Sequence, residues 1–380
     1  MRVSMEAKEL KTYRLALKVL DGKLTIKEFS ELIGKSYRQS QRIIKSVKEK
    51  DYFGVIHGNR GRSPVNKTSD SVEGQIKDWL DYKYNGFNIT HFIEMVKSTE
   101  QYKELPKKST VHAIAKKHGL VKNPRRAKRR SFKPRARMPS KGMLIQLDGS
   151  EHVWFGDHKS DLIAAIDDAT GEILSAEFFY GEKSLHSMKV IKKLVDNYGL
   201  PEAFYMDQAG IYGKLDRDWE SQISRAFDQV GIRLILASSP QAKGRVERLF
   251  RTLQDRLIAE MSFYDIKTLD EANEFLKGFI KRFNNQFGVP AQEDPSFRKN
   301  VFGDLNLIFC KKETRKIYTG NIFSYEAVTW LIDKKACYRG RYMNINTHVD
   351  GSQSFDIMGK KMYPRPVKTM RVYRNKRRVG

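Results

Sequence analysis

Residues Ser238 to Met261 read SSPQAKGRVERLFRTLQDRLIAEM. Pro240 ends a short apolar run, RLILA, which starts at Arg233, and Gly244 follows one turn later. Beyond it apolar residues recur at helical spacing. The stretch is therefore a strand-to-helix junction, with Glu247 in the first helical turn and Arg245, Arg248 and Arg251 near it. A glutamate there can simply complement the helix dipole. What else it can do depends on the residues the chain brings beside it.

Upstream, MLIQLDGSEHVWF from Met143, LIAAIDDATG from Leu162 and EILSAEFFY from Glu172 are strand-like runs with short turns, as in an antiparallel meander. Ser184 to Tyr198 has helical periodicity closed by Gly199-Leu200-Pro201; AFYMD from Ala203 is a buried strand and Asp216 to Val230 a further helix. Three strands, helix, strand, helix, strand, helix is the order of a mixed-sheet α/β domain of the ribonuclease-H type. In that topology the first and fourth strands lie side by side and the last helix crosses their ends. Asp148 ends the first strand and Asp207 the fourth, so both converge with Glu247.

Converging carboxylates with no basic partner repel one another unless they bind divalent cations. Two hard ions roughly 4 Å apart would bind the attacking and leaving oxygens of an in-line phosphoryl displacement. Taken singly, each acid also fits a turn, a cap or the dipole. Asp167 and Asp168, in IDDATG, read as an ordinary hairpin turn with no catalytic role.

The 380 residues are too many for one core and suggest several domains. A formal charge of +26 points to a polyanionic partner, most simply nucleic acid. No apolar run of about 18 residues is present, so no membrane span is expected, and the charged N-terminus does not fit a signal peptide. A cytoplasmic, nucleoid-associated protein is expected. Cys310 and Cys337 form no CxxC, so any metal is expected on oxygen ligands.

Ala7 to Leu20 is helical and is stopped by Asp21-Gly22. Thr25 with Glu28 makes a capping box for a helix ending at Gly34, and Ser36 with Gln39 a second for a helix to about Lys50. Helix, short turn, helix is the helix-turn-helix pattern. On its last helix Tyr37, Ile44 and Val47 share one side, while Arg38, Gln41, Arg42 and Lys45 form another stripe, suited to major-groove reading or to plain solvation. HGNRGRSP from His57 reads as a flexible arm whose Arg60 and Arg62 could enter a minor groove, or as a plain linker.

Val72 to Gly119 reads as a second three-helix unit, with Ser109, Thr110 and His112 as candidate DNA contacts on its last helix. VKNPRRAKRRSFKPRARMPSK, Val121 to Lys141, contains no acid and should track phosphates through Arg125, Arg126, Arg129 and Arg130. After the core, Leu269 to Phe287 is an amphipathic helix. From Asn306 the period turns to two, suggesting a small closed β-barrel. The tail from Lys360 is basic, carries Tyr363 and Tyr373, and is expected to be a phosphate-binding arm.

The domain division expected is 1–56 (first helix-turn-helix), 57–68 (basic linker), 69–120 (second helical DNA-binding domain), 121–141 (basic linker), 142–290 (catalytic), 291–359 (barrel) and 360–380 (basic tail).

The run Pro240-Gln241-Ala242-Lys243-Gly244-Arg245-Val246-Glu247 resembles the Pro-x-x-x-Gly-x-x-Glu signature of the DDE transposases and retroviral integrases. The resemblance extends to Leu147-Asp148 and the AIDDATGEILSAEF hairpin, and with the helical modules in front the whole chain resembles a bacterial insertion-sequence transposase. It implies that Asp148, Asp207 and Glu247 are catalytic and hold two Mg2+ ions, with Mn2+ able to substitute. The chain departs from integrases in having Gln208-Ala209 where Asn-Gly is common, and it lacks their N-terminal zinc module.

The function expected is a DNA transposase that binds terminal inverted repeats. It cleaves at the element ends and joins the 3′-hydroxyl ends to target double-stranded DNA without a nucleotide cofactor. It would work as a homodimer or larger homo-oligomer assembled on DNA. Lys243 and Arg251, flanking Glu247 at i−4 and i+4, are the better candidates for gripping the reacting strand; Arg248 is another and Arg245 a weaker one. The alternatives are an inactive DNA-binding regulator derived from a transposase, and a nuclease without strand transfer.

Overall fold

The computed structural model describes residues 5–60, 64, 67–100, 105–121, 136–181, 184–207, 218–237, 244–333 and 336–367. The chain divides into two compact units, Met1–Glu73 and Gly74–Gly380.

In the first unit, α1 (Ala7–Leu20), α2 (Ile26–Ile33) and α3 (Tyr37–Lys50) close around Ala16, Phe29, Ile44 and Val47. Thr25 and Glu28 cap α2 reciprocally, and Gly34 ends it in the left-handed conformation, φ 64°, that costs glycine little. Ser36 caps α3 from one side only, accepting from the Gln39 N–H at 3.3 Å. Two expectations need correction. Tyr37 is 52% exposed, because the inward stripe of α3 begins one turn later, at Ser40. His57 to Arg60 ends in a turn rather than a free arm, since Arg60 donates to Glu6 at 2.9 Å and Glu9 at 2.8 Å.

The second helical group is α4 (Asp70–Asp78), a π-helical turn at Trp79–Lys83, α5 (Ile89–Thr99) and α6 (Lys108–Lys117). It precedes the sheet of β1 (Ile145–His152), β2 (Ser160–Asp167), β3 (Ile173–Phe179), β4 (Ala203–Asp207) and β5 (Arg233–Ala237). The strand order is β3-β2-β1-β4-β5. β1, β2 and β3 pair antiparallel, while β1–β4 and β4–β5 are parallel. That mixed sheet is ribonuclease-H-like.

Alternation along β1 sends Ile145 and Leu147 to the face covered by α7 (Ser184–Tyr198) and α8 (Asp218–Val230). The opposite face, through Leu162, Ala164 and Ile166 of β2, packs on α9 (Gly244–Phe263) and α10 (Leu269–Phe287). With helices on both faces β2 is buried along its whole length, which is why its middle, Leu162 to Ile166, is continuously apolar. Gly199, φ 99°, turns the chain where a Cβ would meet the Arg298 carbonyl at 2.7 Å. That close approach lets Leu200 and Arg298 exchange backbone hydrogen bonds.

After a short helix, α11 (Leu305–Ile308), come β6 (Lys311–Lys316), β7 (Ile322–Tyr325), β8 (Val328–Leu331), β9 (Tyr342–Thr347), β10 (Gln353–Ile357), β11 (Lys360–Met362) and β12 (Arg365–Val367). Among the described residues they form no closed barrel. They make a four-stranded sheet, β11-β10-β9-β6, and a three-stranded one, β12-β8-β7, around Phe323, Ile345 and Phe355. Alternating residues mark strands but do not say which edges join. The start of the expected basic arm is likewise built into the sheets, as β11 and β12, with Met362 buried; 368–380 lie outside the described residues. Arg225 of α8 ties this part to the core by donating to the carbonyls of Ile308 at 3.1 Å and Cys310 at 2.6 Å. Burial pushes the pKa of its guanidinium down.

Candidate active site

β1 carries Asp148, β4 ends at Asp207, and the first turn of α9 carries Glu247, whose side chain is exposed. Parallel pairing sets Gln146 of β1 opposite Tyr205 of β4. Carried two residues past the paired stretch, that register would set Asp148 level with Asp207. Two ties then hold α9 across β1. Arg245 pairs with Asp168, whose Oδ1 also accepts from the Gln146 side chain at 2.6 Å. Gln254 donates to Ser150 Oγ at 3.1 Å.

Gln146, Asp148 and Ser150 alternate onto one face of β1. Glu247 lies between Arg245 and Gln254 on the helix, as Asp148 lies between Gln146 and Ser150 on the strand. The helix bearing Glu247 is thus tied across the strand bearing Asp148, which is half-buried. The side chain of Asp207 lies outside the described residues. Among the described ones no three His, Cys, Asp or Glu gather into a metal-holding group. Three carboxylates would offer the hard oxygen donors that Mg2+ prefers.

Sequence reasoning gave Asp167 and Asp168 no more than a turn. Both are fully buried. Asp167 accepts from the N–H of Gly142 at 2.8 Å, and from the N–H and hydroxyl of Thr170 at 2.8 and 3.0 Å. Burial raises its pKa against those hydrogen bonds. Asp168 accepts from the Met138 N–H at 3.1 Å as well as from Gln146 and Arg245. The signal available in the sequence was two consecutive acids directly after the apolar run Leu162–Ile166, a position that only paired or hydrogen-bonded carboxylates tolerate.

Of the proposed DNA contacts, Arg38, Gln41, Arg42 and Lys45 are all exposed along α3. Arg38 and Arg42 line an open depression of about 520 Å³ with Ser36, Gln39 and Gly54. Ser109 and His112 are exposed on α6 and Thr110 is half-buried. Arg251 is exposed; Arg248 is exposed too and bonds back to the Gly244 carbonyl at 2.7 Å. Arg60 is engaged by Glu6 and Glu9. Arg62, Arg125, Arg126, Arg129, Arg130 and Lys243 lie outside the described residues. Among the described residues a Cβ on Gly244 would meet open space, so close helix packing does not account for that glycine.

The chain is 31% identical over 363 residues to "Putative transposase y4bF" of Sinorhizobium fredii, spanning 92% of this chain and 79% of that protein. It is 31% identical over 358 residues to the "Transposase for insertion sequence IS1202" of Streptococcus pneumoniae, spanning 84% and 77%. The chain belongs to the insertion-sequence transposases. No family model matches it. Among solved structures, an integration complex (intasome) of simian T-cell lymphotropic virus covers 68% of this chain and 92% of its own, at 14% identity and a TM-score of 0.35. The Mos1 strand transfer complex covers 75% and 93%, at 11% and 0.28. Likenesses this faint carry no weight of their own. Among the described residues no helix is long and apolar enough to cross a membrane.

Proposed function

We propose that the protein is a DDE transposase that binds the terminal inverted repeats of an insertion sequence, cleaves at the element ends and joins the freed 3′-hydroxyls to target DNA. The observation that carries this reading is the bracketing of Asp148 and Glu247 by the Arg245–Asp168–Gln146 and Gln254–Ser150 ties, beside the parallel β1–β4 pair. Asp148, Asp207 and Glu247 would hold Mg2+, which when bound lowers the pKa of a nucleophilic oxygen and stabilises the departing one. The chain's own part is to fix the carboxylates and present cations to the DNA backbone.

In this reading α3, with Arg38, Gln41, Arg42 and Lys45, and α6, with Ser109, Thr110 and His112, contact the repeats. Arg62 and the linker residues Arg125, Arg126, Arg129 and Arg130 belong to basic segments along the phosphates, while Lys243, Arg248 and Arg251 flank the reacting strand. The division into 1–56, 57–68, 69–120, 121–141 and 142–290 goes with it, with the strands up to Val367 joined to the C-terminal sheets, as does a homodimer or larger assembly on DNA, since two ends must meet.

The test is to incubate the protein with pre-nicked element-end DNA, target plasmid and Mg2+, beside Asp148→Asn. Joined products from the natural protein and none from the variant are expected. Binding without joining would overturn the transposase reading in favour of a regulator. Cutting without joining would favour a nuclease, and equal joining by the variant would overturn the site.

A further inference from the structure

The half of α9 remote from Glu247 is bonded to the second helical group. Asn88, the N-cap of α5, donates to Asp255. His91 Nε2 lies 2.9 Å from Glu260 Oε1, and Arg256 donates to the two oxygens of Glu94 at 2.6 and 3.4 Å. Tyr84 stacks on Phe263 with ring centroids 5.1 Å apart. From α10, Arg282 donates to the other Glu260 oxygen at 2.5 Å. His91, Glu260 and Arg256 are 1%, 5% and 8% exposed.

Apolar faces alone would have docked these helices. Burying a carboxylate, an imidazole and a guanidinium between them costs desolvation that an apolar pair would not incur. What such a network adds is register, because hydrogen-bonded ions tolerate one alignment whereas greasy surfaces slide. His91 Nδ1 has no hydrogen-bond partner among the described residues, so the ring is held by its Nε2 contact and by packing on Phe87, with ring centroids 4.6 Å apart. α6 packs on the same α5 and turns Ser109, His112, Lys116 and Lys117 to solvent. Glu260 and Glu247 share one continuous helix, about 20 Å apart along its axis.

We infer that the α4–α6 group is a ruler for the reaction. Clamped to α9, it holds the DNA it grips at a fixed offset from Glu247, and His91, Glu260, Arg256 and Glu94 are positioning residues that select which phosphodiester is cut. This rests on the end-cleavage reading above. It changes the expected role of the second helical group from an independent reader on a tether to a part bonded to the catalytic helix.

Two measurements on the full chain test it. In the first, end cleavage with Mg2+ is mapped to the nucleotide for the natural protein, His91→Ala, Arg256→Glu, Glu94→Arg, the double variant Arg256→Glu/Glu94→Arg, and His91→Gln, whose amide can still donate to Glu260. The single disruptive variants should bind the end within about twofold. Their cuts should spread to neighbouring phosphodiesters, with the original site slowed by about a hundredfold. His91→Gln and the charge-swapped double should return cutting to the original site. In the second, an iron chelate tethered at Glu247→Cys in a Cys337→Ser background scores DNA without the enzyme's own chemistry. A sharp scission site that broadens with His91→Ala supports the ruler even if the natural protein proves unable to cut. Unchanged cut positions in the single variants, no restoration in the double, or an unbroadened scission site would each overturn it.

Discussion

Arg245, one residue into α9, forms an ion pair with Asp168, a carboxylate with no solvent-exposed surface at the end of β2. Through Gln146, which donates to the same Asp168 oxygen, the pair links the helix bearing Glu247 to the strand bearing Asp148. Basic residues around a nucleic-acid site are commonly assigned to phosphates. This one is spent on architecture, which places it apart from Arg248 and Arg251, both exposed on the same helix.

Removing the guanidinium strands a buried charge. Arg245→Leu should lower the stability of the core by about 3–5 kcal/mol, read as a fall in denaturant midpoint at unchanged m-value. Because the loss comes from an uncompensated carboxylate, Asp168→Asn in an Arg245→Gln background should recover much of it. Equal midpoints for Arg245→Leu and the natural protein would show that the pair contributes nothing.

Asp148 is half-buried on β1, and in the proposed reading it acts on the DNA. Asp148→Asn should leave thermal stability and end-DNA affinity essentially unchanged. It should reduce strand transfer by roughly a thousandfold, the equivalent of about 4 kcal/mol of lost transition-state stabilisation. Chelation of Mg2+ should abolish joining by the natural protein while leaving DNA binding intact. A variant that joins ends at the natural rate would remove Asp148 from the reaction.

The exposed stripe on α3 makes a separable prediction. Each phosphate-contacting cation contributes close to one unit to the slope of log affinity against log salt. If Arg38 and Arg42 meet phosphates, replacing either by Ala should reduce that slope by about one and weaken binding alike on all sequences. If they read bases, the slope should hold while discrimination between the repeat and unrelated DNA falls. Titrations at several salt concentrations, on both DNAs, separate the two outcomes.

Much of the core is legible because it follows from periodicity. The alternating and continuous apolar runs give β1 to β5 in their observed order, and the helix read over Leu269 to Phe287 spans those residues. Strand order puts β1 beside β4, but the level of Asp148 against Asp207 depends on the register of that pair. The polar ties are not legible in the same way. Arg245 and Asp168 are 77 residues apart, and His91 and Glu260 are 169. A buried polar pair has no period, so each partner reads as an ordinary helix or turn residue until the fold brings the two together. The same limit applies to the C-terminal strands, whose pattern marks each strand without saying that they divide between two sheets.

The Glu94–Arg256 contact allows the clamp to be examined by pH. Partial burial would raise the Glu94 pKa, but hydrogen bonds from Arg256 and Gln286 and the nearby guanidinium charge outweigh it, so the carboxyl lies below its ordinary value of 4.5. A depressed folded-state pKa means that the unfolded chain takes up the proton first as acid is added. The stabilisation from ionised Glu94 is therefore fully present above 4.5 and is lost as pH falls through the lower folded value. Glu94→Gln cannot titrate there, so the advantage of the natural protein over this variant should be constant near neutrality and shrink only below 4.5. Paired denaturation series from neutral pH into acid measure it directly. A difference that stays constant throughout would mean that the carboxylate is not held by Arg256 in solution. A difference already shrinking at neutral pH would place the titrating group elsewhere.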